Sequence, residues 1–384
     1  MKVLVVLNSL APGGTETSTV ALAAALRPLG VETTVATMKR ADHEIDAAAE
    51  AAGARVVRLT GGPVSQLRQL RRMIRMDHPD VVHTALFEAD QLGRIAALGT
   101  RVPVISSMVN TPYDPARLND PNVRRWKLRV VQAMDSMSGH LMVDRFHAVS
   151  DGVKAANARA LHLKRSVISV AERGRDTSAL GVRSVERRAV VRRSLGIDEE
   201  AVVVLSLGRQ EHQKAHVDLL AAAALLRDRF PNLVLLLAGK NGSASERITS
   251  MLDGDSQLAG VVRLLGHRTD VGDLLVAADV LAISSHFEGT AGVALEAMAV
   301  GTPIVSTRLD GLVGVLDDDR NAVLVDPASP VALAYGLGRV LGDQAQAGRI
   351  AATARQDFQS RFTLEAAALR MRDLYASVVA QSNR

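Results

Sequence analysis

The sequence predicts an α/β protein built from two doubly wound domains in tandem, each a parallel sheet covered by helices on both faces. Short β-branched runs alternate with amphipathic helical stretches along the chain, which is the pattern of successive βαβ units. The same alternation of strand and helix signals begins again near the middle of the sequence. A chain of 384 residues is also longer than one hydrophobic core of ordinary size requires.

The first half opens with the apolar run Lys2–Asn8, a loop over Ser9–Gly14 and a helical stretch over Glu16–Leu29. Further helices are expected at Pro63–Met76 and Glu88–Leu98, where apolar residues recur at helical spacing. The remaining strands of this sheet are expected at Val31–Thr37, Val56–Leu59, Val81–Thr84, Val102–Ser107, Phe146–Val149 and Val167–Val170.

The second half repeats the pattern after a polar, basic stretch, Thr177–Arg193, which we interpret as a linker leading into a helix. A final helix over about Leu364–Ala380 is expected to pack back on the first domain. The predicted domains are therefore 1–178 together with 364–384, and 179–363. The strands expected in the second domain are Ala201–Leu207, Leu233–Ala238, Val261–Leu264, Val280–Ile283, Pro303–Val305 and Ala322–Val325.

The composition excludes several classes of function. The chain has no cysteine, which rules out disulfides, thiolate metal sites and cysteine nucleophiles. Aromatic residues make up 3% of it, which argues against a base-stacking surface and hence against a nucleic-acid partner. The apolar runs are too short to span a bilayer, and the first begins too early for a signal peptide. We expect a cytoplasmic protein.

Positive charge is concentrated in the first domain. Residues 1–190 hold 27 Lys/Arg against 18 Asp/Glu, whereas the rest of the chain has more acidic than basic residues. A basic surface of this kind serves solubility or meets anions such as lipid headgroups and acidic glycans. We expect possible contact with an anionic membrane, at its inner face, through two clusters: Arg68, Arg71, Arg72 and Arg75, and Arg124, Arg125, Lys127 and Arg129.

Ligands of open parallel sheets bind at loops that leave the carboxyl ends of strands. The first such loop contains Gly13 and Gly14, which allow the backbone to approach a ligand closely ahead of a helix N-terminus. A tight turn without a ligand would need the same glycines. The G-x-G-x-x-G spacing of nicotinamide-binding proteins is absent here.

A second loop, after the strand that ends at Leu207, carries Arg209 and Lys214. Two cations five residues apart at this position can hold one diphosphate, with Arg binding through its planar fork and Lys as a point charge. The alternative is a pair of solvated loop cations.

A third loop contains Glu288, and Glu296 follows eight residues later inside the next helix. Backbone N–H groups at Thr290, Ala291 and Gly292 open that helix and form an anion site. We expect Glu296 to be buried on an otherwise apolar helix, where it needs a partner such as ligand hydroxyls. Helix capping or an ion pair is the alternative explanation of these carboxylates.

The spacing of Glu288 and Glu296, followed by the segment 296–305 (EAMAVGTPIV), resembles the signature of retaining GT-B glycosyltransferases of family 4. The Arg209–Lys214 loop, the Gly13–Gly14 loop, the segment 79–84 and the turn at Val149 and Ser150 resemble further motifs of that family in the same order. The resemblance covers essentially the whole chain. It implies two Rossmann-like domains with a cleft between them and a C-terminal helix on the first.

The resemblance also implies the activity, which is hexosyl transfer with retention from a UDP- or GDP-sugar to a glycan, lipid-linked or small-molecule acceptor. No cofactor is expected beyond this co-substrate, because the two cations and a helix N-terminus supply the charge that a metal would otherwise provide. Asp317, Asp318 and Asp319 are interpreted as a solvated acidic turn, and no metal site is predicted.

By the same resemblance, each candidate residue has an implied role. Glu296 would bind the ribose hydroxyls, Glu288 the transferred sugar, and Arg209 and Lys214 the leaving diphosphate, while Gly14 lets its loop close over the phosphates. The loop with His267 and Arg268 would contact the nucleobase through backbone atoms, as in the family pattern. Further acceptor or sugar contacts are expected from Glu16, His83 and Asn110.

Four positions depart from the family pattern. Val109 stands where a histidine often supports the donor sugar, and Ala85 replaces a second histidine. The usual Asn-Gly turn reads Arg173-Gly174, and Ala215 stands in place of a glycine after Lys214. We interpret the chain as an active enzyme of a divergent subgroup, in which no imidazole is available at Val109 to support the donor sugar.

Two other functions fit parts of the pattern. A GT-B sugar-nucleotide epimerase shares the donor site but needs acid and base groups at the sugar. A non-catalytic nucleotide-sugar binder is disfavoured because both cations and both glutamates are retained. A two-carboxylate hydrolase is disfavoured because Glu296 lies inside a helix next to a phosphate site.

Overall fold

The computed structural model describes residues 1–10, 13–39, 43–51, 53–120, 122–289 and 291–382, without the side chains of residues 43–46. The chain divides into two compact units. Unit 1 consists of residues 1–176 with 361–384, and unit 2 of residues 177–360. No helix among the described residues has both the length and the apolar content required to cross a bilayer.

The described part of unit 1 contains a parallel sheet with strand order β3-β2-β1-β4-β5-β6-β7. Alternate residues of β1 enter two different cores, since Val3, Val5 and Leu7 pack on one face and Leu4 and Val6 on the other. This explains why its sequence is almost wholly apolar. The strands are β1 Lys2–Leu7, β2 Glu32–Thr37, β3 Arg55–Arg58, β4 Val81–Ala85, β5 Val104–Met108, β6 Arg145–Ala148 and β7 Ile168–Val170.

Helices cover both faces of this sheet. Helices α1, α2 and the C-terminal helix α15 pack around one core, and α3 and α4 around the other, with α5 packed beside α4. The prediction that the last helix returns to the first domain is confirmed. The helices of unit 1 are α1 Gly14–Leu26, α2 His43–Ala51, α3 Pro63–Asp77, α4 Phe87–Ala97, α5 Arg125–Met142, α6 Asp151–Ala160 and α15 Leu364–Ser382.

The described part of unit 2 contains a second parallel sheet with strand order β10-β9-β8-β11-β12-β13. Its strands are β8 Val202–Leu207, β9 Leu233–Ala238, β10 Val262–Gly266, β11 Val280–Ile283, β12 Ile304–Thr307 and β13 Val323–Val325. Its helices are α7 Val185–Ser194, α8 His216–Leu226, α9 Ser245–Gly254, α10 Ser256–Val261, α11 Val271–Ala277, α12 Gly292–Val300, α13 Pro330–Gly342 and α14 Gln344–Asp357. The predicted fold class is confirmed for both units.

Two predicted elements differ in detail. The first helix ends at Leu26, and a 3-10 turn through Pro28 continues to Leu29, because proline cannot donate the next helical hydrogen bond. The basic stretch interpreted as a linker is attached to unit 2. Arg188 donates to the carbonyl of Ala277 at 2.9 Å, and Arg192, which is 2% exposed, donates to the same carbonyl at 3.0 Å. These arginines satisfy carbonyls at the end of α11.

Candidate functional site

In unit 2 the strand order reverses between β8 and β11, so the loops that follow these two strands lie side by side at the carboxyl edge of the sheet. Backbone and side-chain hydrogen bonds join them. The His286 N–H donates to the Gln213 carbonyl at 2.9 Å, and the Ser284 hydroxyl donates to the Lys214 carbonyl at 2.8 Å. The Gln213 side chain donates to the Phe287 carbonyl at 2.9 Å. The two predicted ligand loops therefore form one rigid surface.

Lys214 and Glu288 meet on this surface. The Lys214 ammonium forms an ion pair with Glu288 Oε1, and the Ser285 hydroxyl donates to the same oxygen at 2.9 Å. Glu288 is 8% exposed, so the pair is shielded from water and its attraction is stronger than at an exposed surface. Ser285 was not among the predicted residues. Its only signal in the sequence is its position just after the buried strand β11.

Arg209 lies on the same loop as Lys214 but differs in exposure. Its side chain is 68% exposed and reaches Glu211 at 3.3 Å. Glu211 is itself bound by the Ser243 hydroxyl at 2.7 Å, from the loop after β9. An exposed ion pair of this length contributes little to stability. Arg209 can therefore leave Glu211 for a ligand at small cost.

Helix α12 begins at Gly292 after Ala291, whose extended backbone conformation (φ −64°, ψ 107°) breaks the helix and whose methyl side chain makes no capping hydrogen bond. Unsatisfied N–H groups at a helix start attract anions. Thr290, the third residue predicted for this anion site, lies outside the described residues. Gly311 supports the loop from behind, since a Cβ there would lie 2.2 Å from the Glu288 carbonyl oxygen. This glycine was not predicted.

The expectation that Glu296 is buried is wrong. Its neighbours on α12 in the sequence, Leu295 and Ala297, are buried, whereas Glu296 is half-buried. Successive helical residues are offset by about 100°, so Glu296 lies at the edge of the buried face. A carboxylate at this edge is accessible to a ligand and keeps part of its hydration, so the apolar helix does not by itself demand a ligand.

The predicted nucleobase loop follows β10, two strands away from β8. Gly266 there adopts a left-handed conformation (φ 62°), and its carbonyl accepts a hydrogen bond of 2.7 Å from the Gly239 N–H. Arg268 donates twice to Asp270, at 2.8 and 2.5 Å, and this lowers the pKa of Asp270. The Arg268 guanidinium is thus engaged in the loop, while His267 is exposed.

In unit 1 the glycine loop after β1 leads into α1. A Cβ on Gly13 would lie 2.4 Å from the Glu16 carboxylate, which folds back onto this glycine, whereas a Cβ on Gly14 would meet nothing within 4 Å. Because the contact at Gly13 is with the end of a flexible side chain that can move, the described surroundings force a glycine at neither position. Arg173 donates to the Thr15 hydroxyl at 3.3 Å, so the Arg-Gly turn that replaces the family's Asn-Gly lies against this loop.

His83 is part of a buried hydrogen-bond relay across the strands of unit 1. His147 Nε2 lies 2.8 Å from the Ala171 carbonyl, which can only accept, so His147 Nδ1 accepts from the Ser107 hydroxyl at 2.6 Å. The Ser107 oxygen then accepts from His83 Nε2 at 2.7 Å, and His83 Nδ1 accepts from the Tyr375 hydroxyl at 2.6 Å. Sequence reasoning missed Ser107, His147 and Tyr375.

Burial keeps both imidazoles of this relay neutral. Desolvation lowers the pKa of His83 to about 3 and that of His147 to about 4. Both ring nitrogens of His83 are engaged within unit 1, so the predicted contact with an acceptor or sugar would require one of these hydrogen bonds to break. The four side chains of the relay lie on three strands and a helix, and none of them is part of a loop motif.

A cavity of about 490 Å³ opens beside β4 and β5 of unit 1. Arg94 Nη1 donates to Asp135 Oδ1 at 2.7 Å at its floor, and the Tyr113 hydroxyl donates to Asp135 Oδ2 at 2.8 Å. Burial raises the pKa of Asp90, which lines the same cavity, to about 6. Three cations and one predicted contact residue also line the cavity: Arg117, Arg124, Lys127 and Asn110.

The acidic stretch after β12 has ion-pair partners in the fold. Asp317 pairs with Arg320 at 3.2 Å, and Asp319 with Arg339 at 2.7 Å. Asp318 pairs with Arg308. Throughout the part of the chain that the structure describes, no three His, Asp or Glu side chains are grouped so that they could hold a metal ion.

Comparison with known proteins gives two family matches and many relatives. The model of "Glycosyltransferase Family 4" matches residues 12–179, and that of "Glycosyl transferases group 1" matches residues 188–357. A D-inositol 3-phosphate glycosyltransferase of Actinosynnema mirum is 30% identical, over 87% of each chain. One from Salinispora tropica is 31% identical over 79% of this chain, and the match spans 65% of that relative's own length.

Solved structures share the fold. HepE of Anabaena in complex with UDP-glucose superposes with a TM-score of 0.85 at 21% identity, covering 98% of this chain and all of that one. Sucrose-phosphate synthase of Thermosynechococcus elongatus gives a TM-score of 0.82 at 21% identity, covering 99% of this chain and all of that one. The two family matches follow one another along the sequence as the two units do. The chain belongs to the family 4, group 1 glycosyltransferases with the GT-B fold.

Proposed function

We propose that this protein transfers a hexosyl group, with retention, from a UDP-sugar to a hydroxyl group of an anionic acceptor. The observation that carries the proposal is the joined pair of loops in unit 2, where Lys214 and Glu288 meet beside the start of α12. The bond from the anomeric carbon to the diphosphate breaks, a bond to the acceptor oxygen forms, and the hydroxyl proton leaves with the diphosphate.

Negative charge on the diphosphate grows as this bond breaks, and fixed positive charge near it lowers the barrier. Lys214, held in place by Glu288, supplies one such charge, and the N-terminus of α12 supplies another. Arg209 adds a mobile cation that exchanges Glu211 for phosphate oxygens. These groups suffice for a metal-independent reaction, which we propose here.

We propose that the ribose, the nucleobase and the transferred sugar of the donor bind along α12 and the adjacent edge of the sheet. Glu296 would accept hydrogen bonds from the ribose hydroxyls at the exposed edge of its helix, and the backbone near His267 would face the nucleobase. Glu288, adjacent to the phosphate site, would bind hydroxyls of the transferred sugar. UDP is favoured because the HepE structures contain UDP and UDP-glucose.

For the acceptor we propose the cavity of unit 1. Its cations would bind an anionic group, and its buried carboxylates and Tyr113 offer partners for hydroxyl groups. The relatives named D-inositol 3-phosphate glycosyltransferase suggest a polyol phosphate. Glycan and lipid-linked acceptors that carry a phosphate have the same chemistry, and an assay must separate them.

The proposal is tested by measuring UDP release from a panel of UDP- and GDP-sugars, with and without polyol phosphates, phosphorylated glycans and phospholipid acceptors. We expect acceptor-dependent release from a UDP-sugar and a product whose anomeric configuration, measured by NMR, equals that of the donor. The same assay after exhaustive dialysis against EDTA should show unchanged turnover. Inversion, or activity restored only by a divalent ion, would contradict the mechanism.

A further inference from the structure

Helix α5 of unit 1 turns polar residues towards the interior and apolar residues outward, which is the reverse of an ordinary surface helix. Asp135, Ser138 and Gly139 face the interior and are buried. Large apolar side chains face outward instead, with exposed fractions of 62% for Trp126, 50% for Val130, 44% for Met134, 63% for Met137 and 71% for Leu141. A helix that covers a core normally points its apolar stripe inward. Solubility alone does not explain this arrangement.

The exposed apolar residues of α5 form one continuous stripe, which we call the α5 face. They are separated by four, four, three and four positions, which places them within about 80° of one another around the helix. An 18-residue helix is about 27 Å long, and the stripe follows most of that length. Exposed apolar patches of this extent mark surfaces that meet another partner.

Cations border the α5 face on both sides. Arg125 and Arg129 lie along one flank and Lys127 along the other, and all three are exposed. The Lys127 ammonium lies 5.6 Å from the centre of the Trp126 ring. Asp135 is the single acidic residue of α5, which the structure describes throughout, and it is buried. Thus none of the exposed residues of α5 is acidic, and His140 is the one exposed polar side chain besides the three cations.

The neighbouring helices continue this surface. Leu98, at the end of α4, and Leu141 of α5 line the same surface cleft, and Leu98 is 52% exposed. Helix α4 packs between α5 and α3. On α3, the predicted cluster retains three exposed cations, while Arg71 is half-buried and donates to the Leu98 carbonyl at 3.0 Å. The exposed cations of α3 are Arg68, Arg72 and Arg75.

We propose that the α5 face docks unit 1 on an anionic lipid bilayer, with α5 lying in the plane of the headgroups. A helix with a tryptophan and large aliphatic residues on one side and cations at its flanks is suited to that position. A second copy of the chain fits less well, because pairing two such faces brings cations of like sign together. An anionic leaflet meets the same cations with opposite charge.

Trp126 is the chain's single tryptophan, so its fluorescence reports on the α5 face without labelling. Emission and acrylamide quenching are measured with vesicles of phosphatidylcholine alone and of phosphatidylcholine with phosphatidylglycerol. With anionic vesicles we expect a blue shift, protection from acrylamide and quenching by lipids brominated in the acyl chain. If neither vesicle type changes the emission or the acrylamide quenching of Trp126 at low salt, the proposal is wrong.

Two variants separate the apolar and electrostatic contributions. Each cation near an anionic leaflet strengthens binding by about fivefold, so Arg125→Gln/Arg129→Gln should weaken partition roughly twenty- to thirtyfold. Met137→Ser/Leu141→Ser should weaken it by about tenfold or more by removing inserted apolar surface. Neither pair lines the acceptor cavity. Transfer to a water-soluble acceptor should therefore persist, which separates failure of docking from failure of the proposed reaction.

The matched control is Val331→Ser/Tyr335→Ala on α13 of unit 2, where two equally exposed apolar residues have no comparable stripe of neighbours. Its vesicle binding should equal that of the unchanged protein. Protection of Trp126 that rises with protein concentration and without vesicles would show that a second copy covers the face, and the proposal would be wrong.

Discussion

The two units share a parallel, doubly wound sheet but place their polar groups differently. In unit 2 the candidate donor groups Arg209, Lys214 and Glu288 lie in loops beyond the strand ends. In unit 1 the polar groups lie on the strands themselves, with His83 in β4, Ser107 in β5 and His147 in β6, and all three are buried. The candidate donor groups of unit 2 are thus charged and lie at a loop surface, whereas the relay of unit 1 is neutral and internal and is separate from the charged side chains around the cavity of that unit.

This difference has a physical basis. A diphosphate is best stabilised by charged groups that remain charged, which requires partial hydration or a close counter-ion such as Glu288 beside Lys214. A buried relay of hydroxyl and neutral imidazole groups avoids the cost of desolvating a charge. It also connects β4, β5, β6 and α15, so the interior of unit 1 is held in one arrangement.

The largest effect is expected for Lys214→Ala in unit 2. A side chain that stabilises charge developing in the transition state is worth on the order of a hundredfold or more in rate. We expect kcat to fall by at least about that factor, and by more than the donor KM rises, because the charge on the phosphate grows as the bond breaks. Arg209→Lys should also lower kcat, since the point charge of lysine cannot form the bidentate hydrogen bonds of arginine with a phosphate.

Removing Lys214 also leaves the buried Glu288 without its cation, so a control must separate catalysis from folding. Lys214→Ala/Glu288→Gln removes the buried negative charge as well and should restore stability in chemical denaturation while kcat remains low. Lys240→Ala, which removes the other lysine of unit 2, should leave kcat unchanged. If folded Lys214 variants keep the original kcat and change only KM, the loop stabilises the bound donor and the transition state equally.

Glu296→Ala is expected to have the next largest effect. A hydrogen bond to a charged group contributes about 1.5–3 kcal/mol, so loss of the ribose contact should weaken UDP binding about ten- to a hundredfold. Glu296 is half-buried at the edge of α12, so its removal should leave stability nearly unchanged. Calorimetric titration with UDP measures the first quantity and thermal denaturation the second. An unchanged Kd would place the ribose elsewhere.

The comparison between units also explains what the sequence could predict. Alternation of apolar runs located the strands of both sheets, and the loops of unit 2 could be found because charged residues directly after a buried strand are unusual there. Ser107 and His147 could not be found in this way, since each looks like an ordinary polar residue within a strand. Their role in the relay depends on the register of β4, β5 and β6, which brings their side chains into contact.

The exposure of residues on a single helix was equally beyond the sequence. Glu296 was expected to be buried because its neighbours are apolar, but a helix buries only part of its circumference. The apolar residues of α5 would be assigned to a core by the same reasoning. Their outward position is set by the inward hydrogen bonds of Asp135 and Ser138 with Arg94.

The relay of unit 1 predicts loss of stability in acid. The pKa of His83 falls to about 3 and that of His147 to about 4 on folding, against an ordinary value of 6.5. The unfolded chain therefore takes up protons first, so stability is complete above pH 6.5 and is lost as the pH falls towards these values. By about pH 5 the loss is roughly 2 kcal/mol for each histidine.

Hydrogen exchange of the backbone amides of β4, β5 and β6 follows the opening of unit 1 and measures this loss, since Trp126 is already 62% exposed in the folded chain. His83→Gln should lower stability at neutral pH but flatten the acid dependence. In unit 2, burial and Lys214 lower the pKa of His216 to about 4, so His216→Gln should flatten the acid dependence of the stability measured at the amides of β8 and β11 without affecting that of β4, β5 and β6. Stability of unit 1 that is constant between pH 7 and 5 would show that its histidines are not buried in the neutral form.

The smallest expected effect is that of Ala215→Gly, at the position where the family has glycine. Ala215 adopts a left-handed conformation (φ 49°, ψ 39°) between Lys214 and α8, which costs a residue with a Cβ about 1–2 kcal/mol. Glycine removes this cost but gains freedom in the unfolded chain, so a net stabilisation of about 0.5–1 kcal/mol should remain. Ala328→Gly, at φ 55° in an exposed loop, should stabilise by at least as much because no buried methyl is lost there. Ala221→Gly within α8 should instead destabilise by about 1 kcal/mol, since its backbone is helical.

Urea denaturation of the three variants measures these differences, and kcat measured alongside shows whether the phosphate loop depends on the strain. If Ala215→Gly is destabilising while Ala328→Gly stabilises, contacts of the buried Ala215 methyl outweigh the backbone cost, and the alanine is an adaptation of this loop to its own packing.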